Sequence, residues 1–250
     1  MKRHAGLAAL AALAFSAIGG GALAAEHVTN GGFEATLLPA SGEFGGDFPS
    51  QQVTGWTTNG YNFVFRSGEA DSGGGNGSFG NLQLWGPDNG SANGLPDSSP
   101  AGGNFIASDP VFIHDSIRQD INDLTIGKTY NLSFYWAGAQ QFGFSGDTFE
   151  GWQVSLGGET HSTSTVNVAD HGFSGWQLAT MSFTATAASE TLAFLSTGGP
   201  TGLPPFALLD GVSLTDVTGG GVPEPAAWAL MILGLGASGA ALRRRRAAAA

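Results

Sequence analysis

Several aromatic side chains stand in conspicuously polar surroundings. Trp85 adjoins Gly86-Pro87-Asp88-Asn89-Gly90, and Phe142, Phe144 and Phe149 lie among Gln140, Gln141 and Asp147. Exposed aromatic faces stack on sugar rings while Asn, Gln and Asp bond sugar hydroxyls, which makes Trp85, Phe142 and Phe144 the candidate ligand-binding residues. Tryptophan is highly buried on average, so for Trp85 a place in the core is the stronger of the two expectations. Trp56, Trp136, Trp152 and Trp176 occupy strand or turn positions beside apolar neighbours and are assigned to the core.

Support for catalysis is weaker. Asp147 and Glu150 are the only acids in the aromatic-rich segment 141–152, and glycoside hydrolysis needs two carboxylates at a set separation. All but one of the 20 acids fall between Glu26 and Asp216, so some pair lies close by chance, and a solvated face is the expectation for these two. No G-x-S-x-G, H-E-x-x-H or P-loop is present. A binding or structural protein without enzymatic activity is expected, and catalytic residues are assigned to none. The five histidines (His4, His27, His114, His161, His171) lack ligand spacing, and there is no cysteine, which excludes a zinc site of the usual pattern. Gly74-Gly75-Asn76-Gly77-Ser78-Phe79 approximates one calcium-binding nonapeptide turn, but Ser78 stands where Asp is needed and there is no second copy. Residues 68–81 therefore read as a flexible loop.

The charge distribution narrows the partners. Of nine basic residues, Lys2 and Arg3 open the chain and Arg243, Arg244, Arg245 and Arg246 nearly close it, leaving Arg66, Arg118 and Lys128 among almost all of the acids. Nucleic acid is excluded, because phosphate contacts require clustered Lys and Arg.

The elements that must position the aromatics are strands. With 41 Gly, 11 Pro and 12% charged residues, a helical bundle or coiled coil is excluded, while 42% hydrophobic residues with 17 Phe and 6 Trp suffice for a core. Period-2 stretches recur between turn clusters. In Tyr130 to Trp136 one face takes Tyr130, Leu132, Phe134 and Trp136; Trp152, Val154 and Leu156, then Ala179, Met181 and Phe183, then Ile117, Gln119 and Ile121 alternate in the same way. Further strands are predicted at 61–65, 82–85, 104–107, 192–195 and 207–214. Nine or ten half-buried antiparallel strands imply an all-β sandwich, most economically a two-sheet jelly roll spanning 26–217, with long loops at 68–81 and 86–103.

Both ends read as addresses. Residues 1–25 combine Lys2 and Arg3, an apolar run from Ala5 to Ile18 and the small-x-small site Ala22-Leu23-Ala24, the pattern of a secretory signal peptide removed by signal peptidase. At the other end, a glycine-rich linker at 218–222 precedes Pro223-Glu224-Pro225, then the uncharged stretch from Ala226 to Leu242, then the four arginines. That stretch is at the short limit for a membrane-spanning helix, and the arginines place its end in the cytoplasm under the positive-inside rule, with the acidic middle outside.

Pro223-Glu224-Pro225-Ala226-Ala227-Trp228-Ala229, the apolar span and Arg243 to Arg246 together resemble a PEP-CTERM sorting tail of the PEPxxWA variety, covering 223–246. The resemblance implies processing by an exosortase, a membrane cysteine transpeptidase of Gram-negative bacteria that make exopolysaccharide. Cleavage near Pro-Glu-Pro and transfer to the cell surface or extracellular matrix would follow. A permanent single-span anchor is the alternative, but a plain anchor has no need of Pro-Glu-Pro before its span.

A second resemblance covers most of 28–215. Val28-Thr29-Asn30-Gly31-Gly32-Phe33-Glu34, Gly55-Trp56, Ile117 to Ile121, Leu124 to Tyr130 and Leu208-Leu209-Asp210-Gly211-Val212-Ser213-Leu214 resemble, in order, strand motifs of galactose-binding-like jelly rolls, the group that holds many carbohydrate-binding modules. The resemblance implies contact with extracellular polysaccharide. It also implies one structural calcium held by Glu34 and Asp210 with backbone carbonyls, against the alternative of two solvated or hydrogen-bonded carboxylates. Gly211 stands where such modules often carry a second Asp. A structural matrix protein without a sugar ligand is the rival reading.

Overall fold

The computed structural model describes residues 24–45 and 51–217. The expected leader, linker, sorting tail, span 226–242 and arginines 243–246 lie outside the described residues, apart from residues 24 and 25 of the leader.

Thirteen strands follow in order: β1 (Gly42–Phe44), β2 (Asn62–Phe65), β3 (Gly75–Gly77), β4 (Gly80–Leu82), β5 (Phe105–Ser108), β6 (Ile117–Ile121), β7 (Thr129–Gln140), β8 (Thr148–Leu156), β9 (Glu159–Ser162), β10 (Val166–Val168), β11 (Gln177–Thr184), β12 (Glu190–Gly199) and β13 (Pro205–Asp216). They form two sheets, one ordered β11-β7-β13-β5-β2-β1-β3-β4 and one ordered β10-β8-β12-β6, with β9 also on β8. Pairing is antiparallel except between β1 and β3. From β5 to β8, and again from β11 to β13, successive strands alternate between the sheets, which makes the domain an all-β sandwich. Among the described residues no helix is long and apolar enough to cross a membrane.

The inner faces meet in a core built from Trp56, Ile117, Phe134, Trp136, Trp152, Phe194 and their neighbours. The alternating positions expected along β6, β7 and β8 are the ones that point inward. Indole nitrogens in this core find main-chain acceptors: Trp152 Nε1 donates to Leu208 O at 3.0 Å and Trp56 Nε1 to Asn30 O at 3.0 Å. The larger sheet also buries part of its outer face. Phe63, Phe65, Phe105, Phe206 and Leu208 form a second apolar cluster there with Ala70, Leu84 and Leu95 from the segment between β2 and β5. Buried on both sides, β2 and β5 show no exposed residue, which is why their sequences read as continuous apolar runs rather than alternations. Each such Phe contributes about 1.5–3 kcal/mol by leaving water.

Two expectations need correction. Thirteen strands replace nine or ten, the additional ones being the short β1, β3, β9 and β10. Residues 68–81 contain β3 and half of a hairpin rather than a flexible loop. Glycine hides that hairpin from a periodicity reading, yet packing demands it: a Cβ on Gly77 would lie 2.7 Å from Cζ of Phe63. The ends of the domain are stitched together. Glu26 bridges Thr215, its Oε1 accepts from Leu214 N at 2.9 Å, and His27 N donates to Leu214 O at 2.9 Å.

Candidate functional site

Five connections converge at one end of the sandwich around a cavity of about 320 Å³. Tyr61 precedes β2, Phe79 tips the β3–β4 hairpin, and Asp109, Val111 and Phe112 form the turn after β5. Gln141 and Phe144 follow β7, and Thr201, Gly202 and Pro204 join β12 to β13. Phe79, Phe112 and Phe144 are 66%, 42% and 37% exposed, so their rings are offered to solvent rather than spent on the core. Tyr61, Phe79 and Phe112 meet edge to face, with centroids 5.2 Å apart for Tyr61–Phe112, 5.1 Å for Phe79–Phe112 and 5.8 Å for Tyr61–Phe79. That geometry suits the ring quadrupoles.

Asp109 sets the position of Phe112. Its Oδ1 accepts from the amides of Val111 at 2.8 Å and Phe112 at 3.1 Å, an Asx turn that an Asp-Pro-Val-Phe segment can form locally. Asp109 is 2% exposed, and burial pushes its pKa up to about 6, against the pull of those two amides and of His114. Burial, then the charges of Glu43 and Asp109, push the Tyr61 phenol up to about 12.

The structure brings Trp85, Phe142 and Phe144 together beside this cavity. Trp85 and Phe142 are 4.5 Å apart between centroids, and Trp85 Nε1 donates to Phe144 O at 2.8 Å. One face of Trp85 is stacked on His171, so this half-buried indole holds the loop while Phe144 lines the cavity. Sequence reasoning missed Tyr61, Phe79, Asp109 and Phe112. The available signals were a Phe inside a Gly-Ser turn and another three residues after Asp in an Asp-Pro turn.

Asp147 and Glu150 do not form a pair of solvent-facing carboxylates. Phe149 and Glu150 belong to β8 rather than to a loop; Asp147 and Phe149 are exposed, whereas Glu150 is fully buried. Neither oxygen of Glu150 has a hydrogen-bond partner, and burial pushes its pKa up to about 8. Alternation along the strand explains the split.

Glu34 and Asp210 come together around Gly32, whose Cβ position would lie 3.9 Å from Glu34 Cγ and 4.0 Å from Asp210 Oδ1. Asp210 is fully buried on β13; its Oδ2 accepts from Ser99 Oγ and its Oδ1 from Gly211 N at 2.6 Å. Glu34 is exposed and its Oε1 accepts from Asn104 N at 2.7 Å. Burial pushes Asp210 up to about 7, and the charge of Glu34 adds to the rise. Two carboxylates and a hydroxyl are a donor set that suits a hard, oxygen-seeking cation. Arg66 lines the same depression as Glu34 and pairs with Glu69 at 4.0 Å. Among the described residues no group of three or more His, Cys, Asp or Glu is placed to hold a metal. Gly211, in the position of a second acid, has φ +59° at a bulge in β13, and a Cβ there would meet Ala101 Cβ at 2.9 Å. Backbone geometry therefore claims that position for glycine.

No curated protein matches the chain. Similar solved structures include TmCBM61 in complex with beta-1,4-galactotriose, at 17% identity, 77% coverage of this chain and 99% of that one, and TM-score 0.39. A CBM4 structure follows at 19% identity, 75% and 98% coverage and TM-score 0.34. The CBM22-1 xylan-binding domain from Paenibacillus barcinonensis Xyn10C has 14% identity, 74% and 96% coverage and TM-score 0.34. The residues quoted from Pro223 to Arg246 fall within a match over 221–246, and the chain carries there the PEP-CTERM protein-sorting motif.

Proposed function

We propose that this chain is an exported protein, sorted to the cell surface or extracellular matrix by an exosortase, whose sandwich domain binds exopolysaccharide without enzymatic activity. The sorting motif at 221–246 supports the route, with Pro223-Glu224-Pro225, Trp228 and Ala229 as the recognised segment and the span before Arg243 to Arg246 as a transient membrane anchor.

One observation carries the binding reading: exposed Phe79, Phe112 and Phe144 converge with Tyr61 on one cavity, an arrangement costly to leave in water unless a ligand uses it. Glu34 and Asp210 would hold one structural calcium, with Ser99 in reach of Asp210. The ion would neutralise the buried Asp210 carboxylate and tie the first segment of the domain to its last strand.

The test uses the full chain purified in detergent and affinity electrophoresis through gels carrying neutral bacterial and plant polysaccharides. Retardation of the unmodified chain, reduced by Phe112→Ala and Phe144→Ala with melting temperature unchanged, is the expected result. Retardation indifferent to both substitutions would move the site elsewhere.

A further inference from the structure

The make-up of the cavity bears on which sugar enters it. Its walls are chiefly apolar: Tyr61, Phe79, Phe112 and Phe144, completed by Val111 and Pro204. Besides the Tyr61 hydroxyl, polar side chains are confined to Asp109, Gln141 and Thr201, and no Arg, Lys or His lines the space. Asp109 is already engaged, holding the turn of Phe112. The Gln141 side-chain amide, by contrast, makes no hydrogen bond to any described residue, and neither does the Tyr61 hydroxyl.

An unsubstituted hexose can stack one face on an exposed ring here but is less well matched to walls that are apolar on several sides. Its hydroxyls would be taken from water and set against ring carbons, with too few partners to replace the lost hydrogen bonds. An anionic sugar fares worse, because no cation lines the cavity and a buried carboxyl does. The volume, about 320 Å³, is at the small end for ligand sites and suits one decorated sugar unit better than a long stretch of chain.

Resting on the polysaccharide reading, we propose that the cavity selects a neutral sugar unit carrying an acetyl group. Acetylation converts a hydroxyl or amine into a group with an apolar methyl and a single carbonyl acceptor. The methyl fits the aromatic walls formed by Phe79, Phe112 and Phe144. The carbonyl takes a hydrogen bond from the Gln141 amide, one of the two uncommitted donors at this wall beside the Tyr61 hydroxyl.

The experiment compares O-acetylated glucomannan with the same polymer after alkaline removal of its acetyl groups, using the full chain in detergent and affinity electrophoresis. The expected result is binding at least about tenfold tighter to the acetylated polymer, the discrimination that a few apolar contacts and one hydrogen bond provide. Gln141→Leu keeps the shape of the wall and removes the donor; it should shrink that ratio with no change in melting temperature. Phe112→Ala should lower affinity for the acetylated polymer more than for the stripped one. Equal binding to both polymers would overturn the acetyl inference and leave the polysaccharide reading standing. Binding to neither would overturn both.

Discussion

The indole of Trp85 lies against the imidazole of His171, with ring centroids 3.8 Å apart and 29° between the planes. This stack joins three connections. His171 Nε2 hydrogen-bonds Ser145 Oγ at 2.8 Å, and its main-chain oxygen accepts from Ser91 Oγ at 2.7 Å and Asn93 Nδ2 at 2.9 Å. Asn93 Nδ2 also donates to Trp85 O at 2.8 Å, and Trp85 Nε1 holds Phe144 O. The segment around 85–93 and the turn at 169–172 thus clamp the loop that presents Phe144 to the cavity.

Trp85→Ala should therefore act twice. Removing a large, half-buried ring costs about 2 kcal/mol, below the 3–5 kcal/mol of a fully enclosed Trp or Phe. Freeing Phe144 should in addition weaken polysaccharide binding although Trp85 does not itself line the cavity. Urea denaturation and affinity electrophoresis read the two effects separately. A variant with lowered stability and unchanged affinity would show that the clamp does not govern the site.

The pH dependence of stability should run opposite to ordinary acid denaturation over much of its range. Burial raises Asp109, Asp210 and Glu150 to about 6, about 7 and about 8, whereas in the unfolded chain carboxyls titrate near 4. Between those values the folded state holds protons that the unfolded state has released, so stability falls as pH rises from about 4 through about 8. Asp216, lowered chiefly by Lys128, and Glu159, lowered chiefly by the Thr184 amide, work in the other sense and lose their contribution only as pH falls below the ordinary carboxylate range. In chelator, the melting temperature should be higher at pH 5 than at pH 8.5. Glu150→Gln, which keeps the shape and removes the charge, should stabilise by at least about 1 kcal/mol at pH 8.5 and have little effect at pH 5. A flat profile for that variant and the parent alike would place Glu150 in contact with solvent.

How much of this was legible beforehand can be argued from particular residues. Wherever one strand face is wet, as in Ile117 to Ile121 or Tyr130 to Trp136, alternation names the inward side chains correctly. It fails where glycine carries the strand, as at Gly75 to Gly77, and where both faces are covered, as at Phe63 and Phe105. Phe142, Phe144 and Trp85 stand out locally because polar residues flank them. Phe79 and Phe112 do not, since their significance lies in meeting each other from segments more than thirty residues apart, across β4 and β5. Glu150 shows the converse limit: a charge in sequence says solvent, but the alternation of Trp152, Val154 and Leu156 carries back along β8 and turns it inward.

Calcium should stabilise the domain at neutral pH. An ion held by Glu34 and Asp210 competes with the proton that burial favours on Asp210, so its effect grows as pH rises through about 7. At a free concentration about a hundred times its Kd, one bound ion adds about 2.7 kcal/mol. Thermal denaturation at pH 8 with calcium and then with chelator should show the difference. Asp210→Asn should abolish that difference and raise the chelator-state stability, because it removes an uncompensated buried charge. If the melting temperature ignores calcium in the parent, the two carboxylates are held by Ser99, Gly211 and Asn104 alone.

The sorting route is separable from everything at the cavity. Pro223-Glu224-Pro225 precedes an uncharged stretch and four arginines, and a permanent anchor would need only the latter two. Replacing the three residues with Ala leaves the uncharged stretch and the arginines in place, so export and insertion should proceed as before. What should change is the fate of the tail. In a host with an exosortase, the parent chain should lose the peptides that follow the motif and leave the inner membrane, whereas the triple variant should stay there with Arg243 to Arg246 still attached. Mass spectrometry of C-terminal peptides from the membrane and surface fractions distinguishes the two fates. Identical C-terminal peptides from parent and variant would mean that the tail is an anchor and that the sandwich domain works while tethered to the inner membrane.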